Sequence, residues 1–267
     1  HFADNDKEYP ISPEVYVKKE SAGDKFKTKI ELGIELVTNA VNKYRVRGKT
    51  VVMDAWYLCK KLVEKIREFN LDWVSCAKVN RKVKYNGEWI SISKLIKSAT
   101  LDKEITIGED KYMCKSFTLL LSRIGMVKLV LSRKKDPKID EEKKIFALVT
   151  NRLDWDEITI LSKYLMRHHI EGFYRDSKQV LGLGKYMMRD LAGVVRHLHL
   201  GFLAYTILET LILKGNSLFS WLKDKVLSIG ERCKIIGGLA VRDFIKWCNC
   251  QFRRRVPLYK VYETLEI

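Results

Sequence analysis

The chain has 267 residues, 46% of them apolar, and carries 50 Lys and Arg against 33 Asp and Glu, a formal charge of +17. This is enough to bury a sizeable core in one large domain or two small ones, which excludes a chain too short or too polar to fold. The charge says nothing about fold but favours polyanionic partners, nucleic acid first and an anionic membrane surface second, with a basic protein lacking any charged partner as the alternative.

The opening HFADNDKEYP is polar and has no apolar core of a secretory signal. It suits the end of a β-hairpin with Asp4, Asn5 and Asp6 in the turn, and VYVKK (15–19) suits an edge strand. Asp24 is placed to cap a helix reaching about residue 44, in which Ile30, Ile34, Val37, Val41 and Tyr44 recur at helical spacing. VVMDAWY (51–57) is a short apolar run of the kind that forms a buried strand, here ending in Asp54. An amphipathic helix with Leu58, Leu62, Val63, Ile66 and Phe69 on one side follows, then a strand in DWVSCAKV (72–79).

Residues 80–145 differ in character. Asn86–Gly87 is a hairpin signal between VKY and EWISI, and EITI (104–107), YMCKSFTLLL (112–121) and MVKLVLS (126–132) add strands before the charged loop 133–144. KIFALVT (144–150) returns to the buried-strand pattern. Helix dominates afterwards, with breaks expected near Gly182–Gly184, at Gly215–Asn216 and near Gly237–Gly238, and with a basic patch at 253–255. The most apolar stretch, 198–213, is interrupted by His199 and Glu209 and is shorter than the ~20 residues of a bilayer span, so a buried helix and no membrane partner are expected. Six cysteines without a CxxC pair, and a lone CxC at Cys248 and Cys250, suit reduced thiols in a cytosolic protein.

Alternating strands and helices around a β-rich block predict an α/β fold with a partly parallel, mixed sheet covered by helices. Ligands bind such sheets at the carboxyl ends of strands, and Asp54 stands at one. The stretch YLMRHHIEGFYRDSK (164–178) adds a second candidate acid. Projected as one helix at 100° per residue, Tyr164, Arg167, Glu171, Arg175 and Lys178 fall within an arc of about 80°. Met166, His169, Ile170, Phe173 and Val180 fall on the other side, and Gly172 is the position expected to break the helix. An ordinary solvated face with i,i+4 pairs has the same spacing. A phosphoryl-transfer site asks for the same residue types: carboxylates for Mg²⁺, and cations to neutralise the phosphates those carboxylates repel.

Tyr164-x2-Arg167-x3-Glu171-x6-Lys178 resembles the Y-x2-R-x3-E-x6-K signature of bacterial and archaeal insertion-sequence transposases, which carry a DDE triad on an RNase H-like fold. Asp54-Ala-Trp-Tyr after an apolar strand is similar to the second catalytic Asp of that family, and a β-rich insertion before the Glu is also found there. The likeness covers roughly residues 1–215 and departs from the family at His168–His169, where Trp often follows the Arg, so local packing there is expected to differ. It implies an RNase H-like mixed sheet flanked by helices, with core at 1–79 and 144–183, a β-rich insertion at 80–143 and a helical C-terminal region at 184–267. It further implies Asp54 and Glu171 as ligands of Mg²⁺ or Mn²⁺. Tyr164, Arg167, Arg175 and Lys178 would be DNA contacts, and Trp89 a residue that stacks on a displaced base, with hairpin packing as the plainer role for Trp89. The partner is then double-stranded DNA, transposon ends and target, held by a possible homodimer in a prokaryotic cytoplasm.

The family's first Asp lies on a strand before the hairpin. Asp4 and Asp6 sit in turn-like sequence that is not expected to reach the carboxyl end of a central strand. The first catalytic Asp is therefore expected outside this chain, which would leave a sheet edge exposed to association. Two other functions stay open: DNA binding without chemistry, and a nuclease that cuts without strand transfer.

Overall fold

The computed structural model describes residues 1–4, 7–135, 145–213 and 228–264. It divides into two compact units, His1–Gly172 and Phe173–Ile267.

The first unit opens with a two-stranded ribbon, β1 (Phe2–Ala3) and β2 (Glu8–Tyr9), in which the Asp4 carboxylate accepts from Lys7 N at 2.7 Å. Asn5 and Asp6 lie outside the described residues. No strand forms at 15–19. Residues 15–18 are irregular, Lys19–Ala22 is a short helix, α1, and Gly23–Lys25, with Asp24, is a 3-10 turn. An extended segment needs a ladder partner for its backbone groups, and none is paired there. The helix cap lies later than Asp24. Thr28 accepts from Glu31 N while the Glu31 carboxylate accepts from Thr28 N at 2.7 Å, a reciprocal capping box that starts α2 (Lys29–Asn42).

The elements that follow are β3 (Thr50–Met53), α3 (Lys60–Glu68), β4 (Asp72–Cys76), β5 (Lys82–Tyr85), β6 (Glu88–Ser91), α4 (Ile92–Ser98), β7 (Lys103–Ile107), β8 (Asp110–Leu121), β9 (Gly125–Lys134) and β10 (Phe146–Thr150). Asn86 and Gly87 both have positive φ (49° and 87°), as a two-residue hairpin loop demands. The helix α4 was not legible as such; Ser91 caps it by accepting from Lys94 N at 3.2 Å. Residues 136–144 of the expected charged loop lie outside the described residues.

Eight strands form one mixed sheet in the order β3-β4-β10-β9-β8-β5-β6, with β7 paired to β8. Only β3 and β4 are parallel; every other pairing is antiparallel. Among the described residues β3 pairs with β4 alone and so forms an edge. Side chains alternate between two cores, as a period of two requires. Trp73, Leu129, Leu131 and Val149 face one core, which Leu62, Val63 and Ile66 of α3 cover. Val74, Val130 and Leu148 face the other, covered by Ile160 and Leu161 of α5 (Glu157–Leu165). Burial on both faces explains why these strands have continuous apolar runs. This is the mixed α/β sheet with flanking helices that an RNase H-like fold requires.

The connection from β10 positions the site. β10 runs antiparallel to β4, so the chain leaves it at Thr150, opposite Val74, heading away from the end of β3 where Asp54 lies. The helix α5 then returns along the sheet and brings Tyr164 back toward the carboxyl ends of β3 and β4. After Met166 and Arg167, α6 (His168–Gln179) begins in the first unit and ends in the second.

In the second unit Phe173 packs edge-on against Phe202 and Tyr205 of α7 (Leu191–Leu213), with ring centroids 5.0 and 4.8 Å apart. Ile229 of α8 (Ile229–Arg253) joins the same core, and α9 (Leu258–Thr264) follows. The expected break at Gly182–Gly184 is present, with φ of 70° and 85°. Gly237–Gly238 does not break α8; about 1 kcal/mol per glycine is too little to stop a 25-residue helix started by a Ser228–Glu231 capping box. Gly215–Asn216 lies outside the described residues. The apolar helix is longer than expected and less buried. Leu191–Thr210 has a mean hydropathy of 1.4, with 17% of it buried, and is long and apolar enough to cross a membrane by length and composition. Glu209, the charge within that apolar run, pairs with Arg232 of α8 at 2.8 Å.

Candidate active site

Asp54 follows the last residue of β3, and its parallel neighbour β4 ends beside it at Cys76. The Asp54 side chain is exposed. Its backbone is fixed by Tyr57 N, which donates to Asp54 O at 3.0 Å, and by Ser75 Oγ at 3.4 Å. Tyr164, at the end of α5, is half-buried between Cys76 and Arg167, with the guanidinium carbon 5.8 Å from its ring centroid. Burial, with the charges of Cys76 and Asp54 adding to it, pushes the phenol up to about 12. Burial also pushes the Cys76 thiol up, so both groups are neutral at pH 7.

Arg167 is the centre of this site. Its Nη2 donates to Glu171 Oε1 at 2.6 Å, and its Nε is shielded from solvent without a hydrogen-bond partner. Burial opposes its charge, but Tyr164, Glu171 and Asp54 outweigh that and hold its pKa above the ordinary guanidinium value. One cation thus lies in the field of both candidate carboxylates. Glu171 Oε2 lies 3.0 Å from His168 Nδ1. That hydrogen bond, ahead of the Arg167 charge, holds the Glu171 carboxyl below its usual range despite some desolvation.

The projection of 164–178 as one helix is corrected. Tyr164 belongs to α5 and Glu171 to α6, and the break falls at Met166–Arg167, whereas Gly172 lies inside α6. Tyr164 and Glu171 still flank Arg167, because the turn between two helices keeps them together. Two residues assigned to the core face behave differently. His169 is partly exposed and hydrogen-bonds the Glu8 carboxylate of β2, and Val180 is exposed, whereas Phe173 is buried. Arg175 and Lys178 are exposed residues of α6 within the second unit, and Arg175 Nε donates to Asp176 at 3.0 Å. Trp89 is half exposed on β6, at the opposite edge of the sheet from β3. Six strand spacings put it on the order of 30 Å from Asp54 along the sheet, so the fold does not bring these two residues together.

His168 and Glu8 went unrecognised in the sequence. The i,i+3 spacing of His168 and Glu171 signals the first; nothing local signals the second, whose contact with His169 spans 161 positions. Among the described residues no group of three or more His, Cys, Asp or Glu is arranged to hold a metal. Asp54 and Glu171 nevertheless suit Mg²⁺ in kind, because it binds through one or two carboxylates together with substrate phosphates and water.

The sequence profile of the family described as Transposase DDE domain matches residues 29–207, more than half of the chain and a span holding both Asp54 and Glu171. No curated protein matches the chain.

Proposed function

The chain belongs to the transposase DDE domain family, and from that premise we propose that it cuts and joins DNA at the ends of an insertion sequence of the Y-R-E-K branch. In the first step water attacks the phosphorus at the transposon end and the bond to the 3′ oxygen breaks, freeing a 3′-hydroxyl. In the second that hydroxyl attacks a target phosphodiester and displaces its 3′ oxygen.

The observation that carries this reading is that Arg167 donates to Glu171 at 2.6 Å and lies against Tyr164, on the side of the sheet where β3 ends at Asp54. A cation beside a candidate metal-binding acid compensates the repulsion between carboxylates and phosphate. Arg167 would supply positive charge beside the scissile phosphate, and Tyr164, kept as a phenol, would donate to a phosphate oxygen. Arg175 and Lys178 would hold flanking phosphates as exposed cations, and Trp89 would stack on a displaced base in the same DNA. Mg²⁺ or Mn²⁺, held by Asp54 and Glu171, would supply Lewis-acid stabilisation of the attacking and leaving oxygens. The protein would act on DNA in a prokaryotic cytoplasm, as a homodimer when two ends are joined.

A second reading rests on Glu171, whose two oxygens are taken by Arg167 and His168. An ion pair of that kind suits a module that binds DNA without cutting it. The two separate in a Mg²⁺-dependent cleavage assay on terminal-repeat DNA. Cleavage abolished by Asp54→Asn and by Glu171→Gln supports the transposase. Salt-sensitive binding with no cutting under any divalent metal supports the binding module, and cutting that survives both substitutions sinks the site assignment.

A further inference from the structure

Trp56 stands two residues after Asp54 and is 58% exposed. The turn explains why. Tyr57 N closes back onto Asp54 O, and the Tyr57 ring goes inward against α2, within 3.2 Å of where a Cβ on Gly33 would sit. Leu58 is buried as well. The indole is therefore left outside, at most about 7 Å of backbone from Asp54. Two ammonium groups from different elements converge on it: Lys78, after β4, at 4.8 Å from the ring centroid, and Lys29, the first residue of α2, at 5.9 Å. Lys29 is also 5.3 Å from the exposed ring of Tyr16. Among the described residues neither lysine forms an ion pair with a carboxylate.

Two like charges on one exposed ring, with no acid between them, form a surface that an anion would complete. We propose that Trp56, Lys29 and Lys78 clamp a single unpaired nucleotide beside Asp54, with the base on the indole and its flanking phosphates on the two ammonium groups. An exposed cation–π contact is weaker than base–aromatic stacking, so a base displaces the lysines from the ring. Their flexible stems then carry them to the phosphates. The clamp selects DNA that is melted or gapped next to the reacting phosphate. It rests on the DNA-processing function proposed above and adds to it a preference for unpaired DNA.

The test compares two DNAs of equal length, a fully paired duplex and a duplex with a one-nucleotide gap holding an unpaired 2-aminopurine opposite it. The native protein is expected to bind the gapped DNA more tightly and to quench 2-aminopurine. Trp56→Ala should lose affinity for the gapped DNA by about ten-fold, lose the quenching and bind the paired duplex as before, while Trp56→Phe keeps most of both. Lys29→Gln and Lys78→Gln should each lower the salt slope of gapped-DNA binding by about one. Undiminished quenching and affinity in Trp56→Ala overturn the clamp alone, as does an equal loss on both DNAs. Failure of the native protein to bind either DNA at low salt overturns the clamp and the DNA-processing function together.

Discussion

Arg167 donates to Glu171 at 2.6 Å while its guanidinium lies 5.8 Å from the Tyr164 ring centroid, so one side chain joins the end of α5 to the start of α6. A lysine at this position keeps a charge but offers no planar fork and no Nε. Arg167→Lys is therefore expected to slow end cleavage by on the order of 100-fold, the usual cost of removing one preorganised donor from a reacting group, with little change in melting temperature. Single-turnover cleavage beside a thermal melt measures this. Native cleavage rates in the lysine variant would show that Arg167 is only a structural ion-pair partner.

The Glu171 carboxyl is held below its usual range by His168 first and then by Arg167. Because its folded pKa is depressed, its contribution to stability is present above the ordinary carboxylate range and is lost as pH falls through the lowered value. His168→Ala should move the Glu171 pKa upward and narrow the acid side of the activity profile. A carbon-detected NMR titration of the Glu171 carboxyl reads this directly, and an unmoved titration contradicts the assignment.

Glu157 is buried where α5 meets the sheet. One oxygen accepts from Lys103 Nζ of β7 at 2.6 Å and the other from Ser116 Oγ of β8 at 2.5 Å. Burial opposes its charge, yet Lys103 and Ser116 together hold its carboxyl down to about 2. Its stabilisation is thus fully present above the ordinary carboxylate value and fades as pH falls from there toward 2. Glu157→Ala should cost about 2 kcal/mol at neutral pH, partly by leaving the Ser116 hydroxyl unpaired, and should flatten the acid limb of stability against pH. Denaturant unfolding at pH 7 and at pH 3 gives both numbers.

Local chemistry made much of this fold legible. Asn86–Gly87 fixed a hairpin, the apolar run at 51–53 fixed β3, and its acid end located Asp54. What the sequence concealed depends on distant contacts. Asp24 and Thr28 are both good caps, and the choice fell to Thr28 because Glu31 stands three residues later. The helix break at Met166–Arg167 has no glycine or proline to mark it; the Gly172 that looked like a break is carried inside α6. Trp56 and Tyr57 are adjacent aromatics with opposite fates, decided by the space over Gly33 on a helix more than twenty positions earlier.

That space gives a separate expectation. A Cβ at Gly33 would sit 3.2 and 3.3 Å from two ring carbons of Tyr57 and 4.0 Å from Leu62. Alanine gains about 1 kcal/mol of helix propensity, which offsets a small shift of the tyrosine. Valine adds bulk where the ring has no room, so Gly33→Val should destabilise by about 1–3 kcal/mol and displace the Asp54–Tyr57 turn. Urea unfolding of both variants, with end cleavage by the alanine variant, separates packing from function. A valine variant as stable as the native chain contradicts the packing.

The stacking role proposed for Trp89 has a reach that can be measured. It is half exposed on β6, at the edge opposite β3, on the order of 30 Å from Asp54 by strand spacing. Duplex DNA rises about 3.4 Å per base pair, so roughly nine pairs separate a phosphate at Asp54 from a base at Trp89. Trp89→Ala should therefore leave the affinity for very short end fragments unchanged and weaken binding only once the DNA is long enough to reach β6. Affinity measured against fragment length, for native and Trp89→Ala protein, should give two curves that part near that length. Curves that coincide at every length assign Trp89 to packing within the β5–β6 hairpin. Curves that part at the shortest fragments place the bound DNA along a different path, one that meets β6 before it meets Asp54.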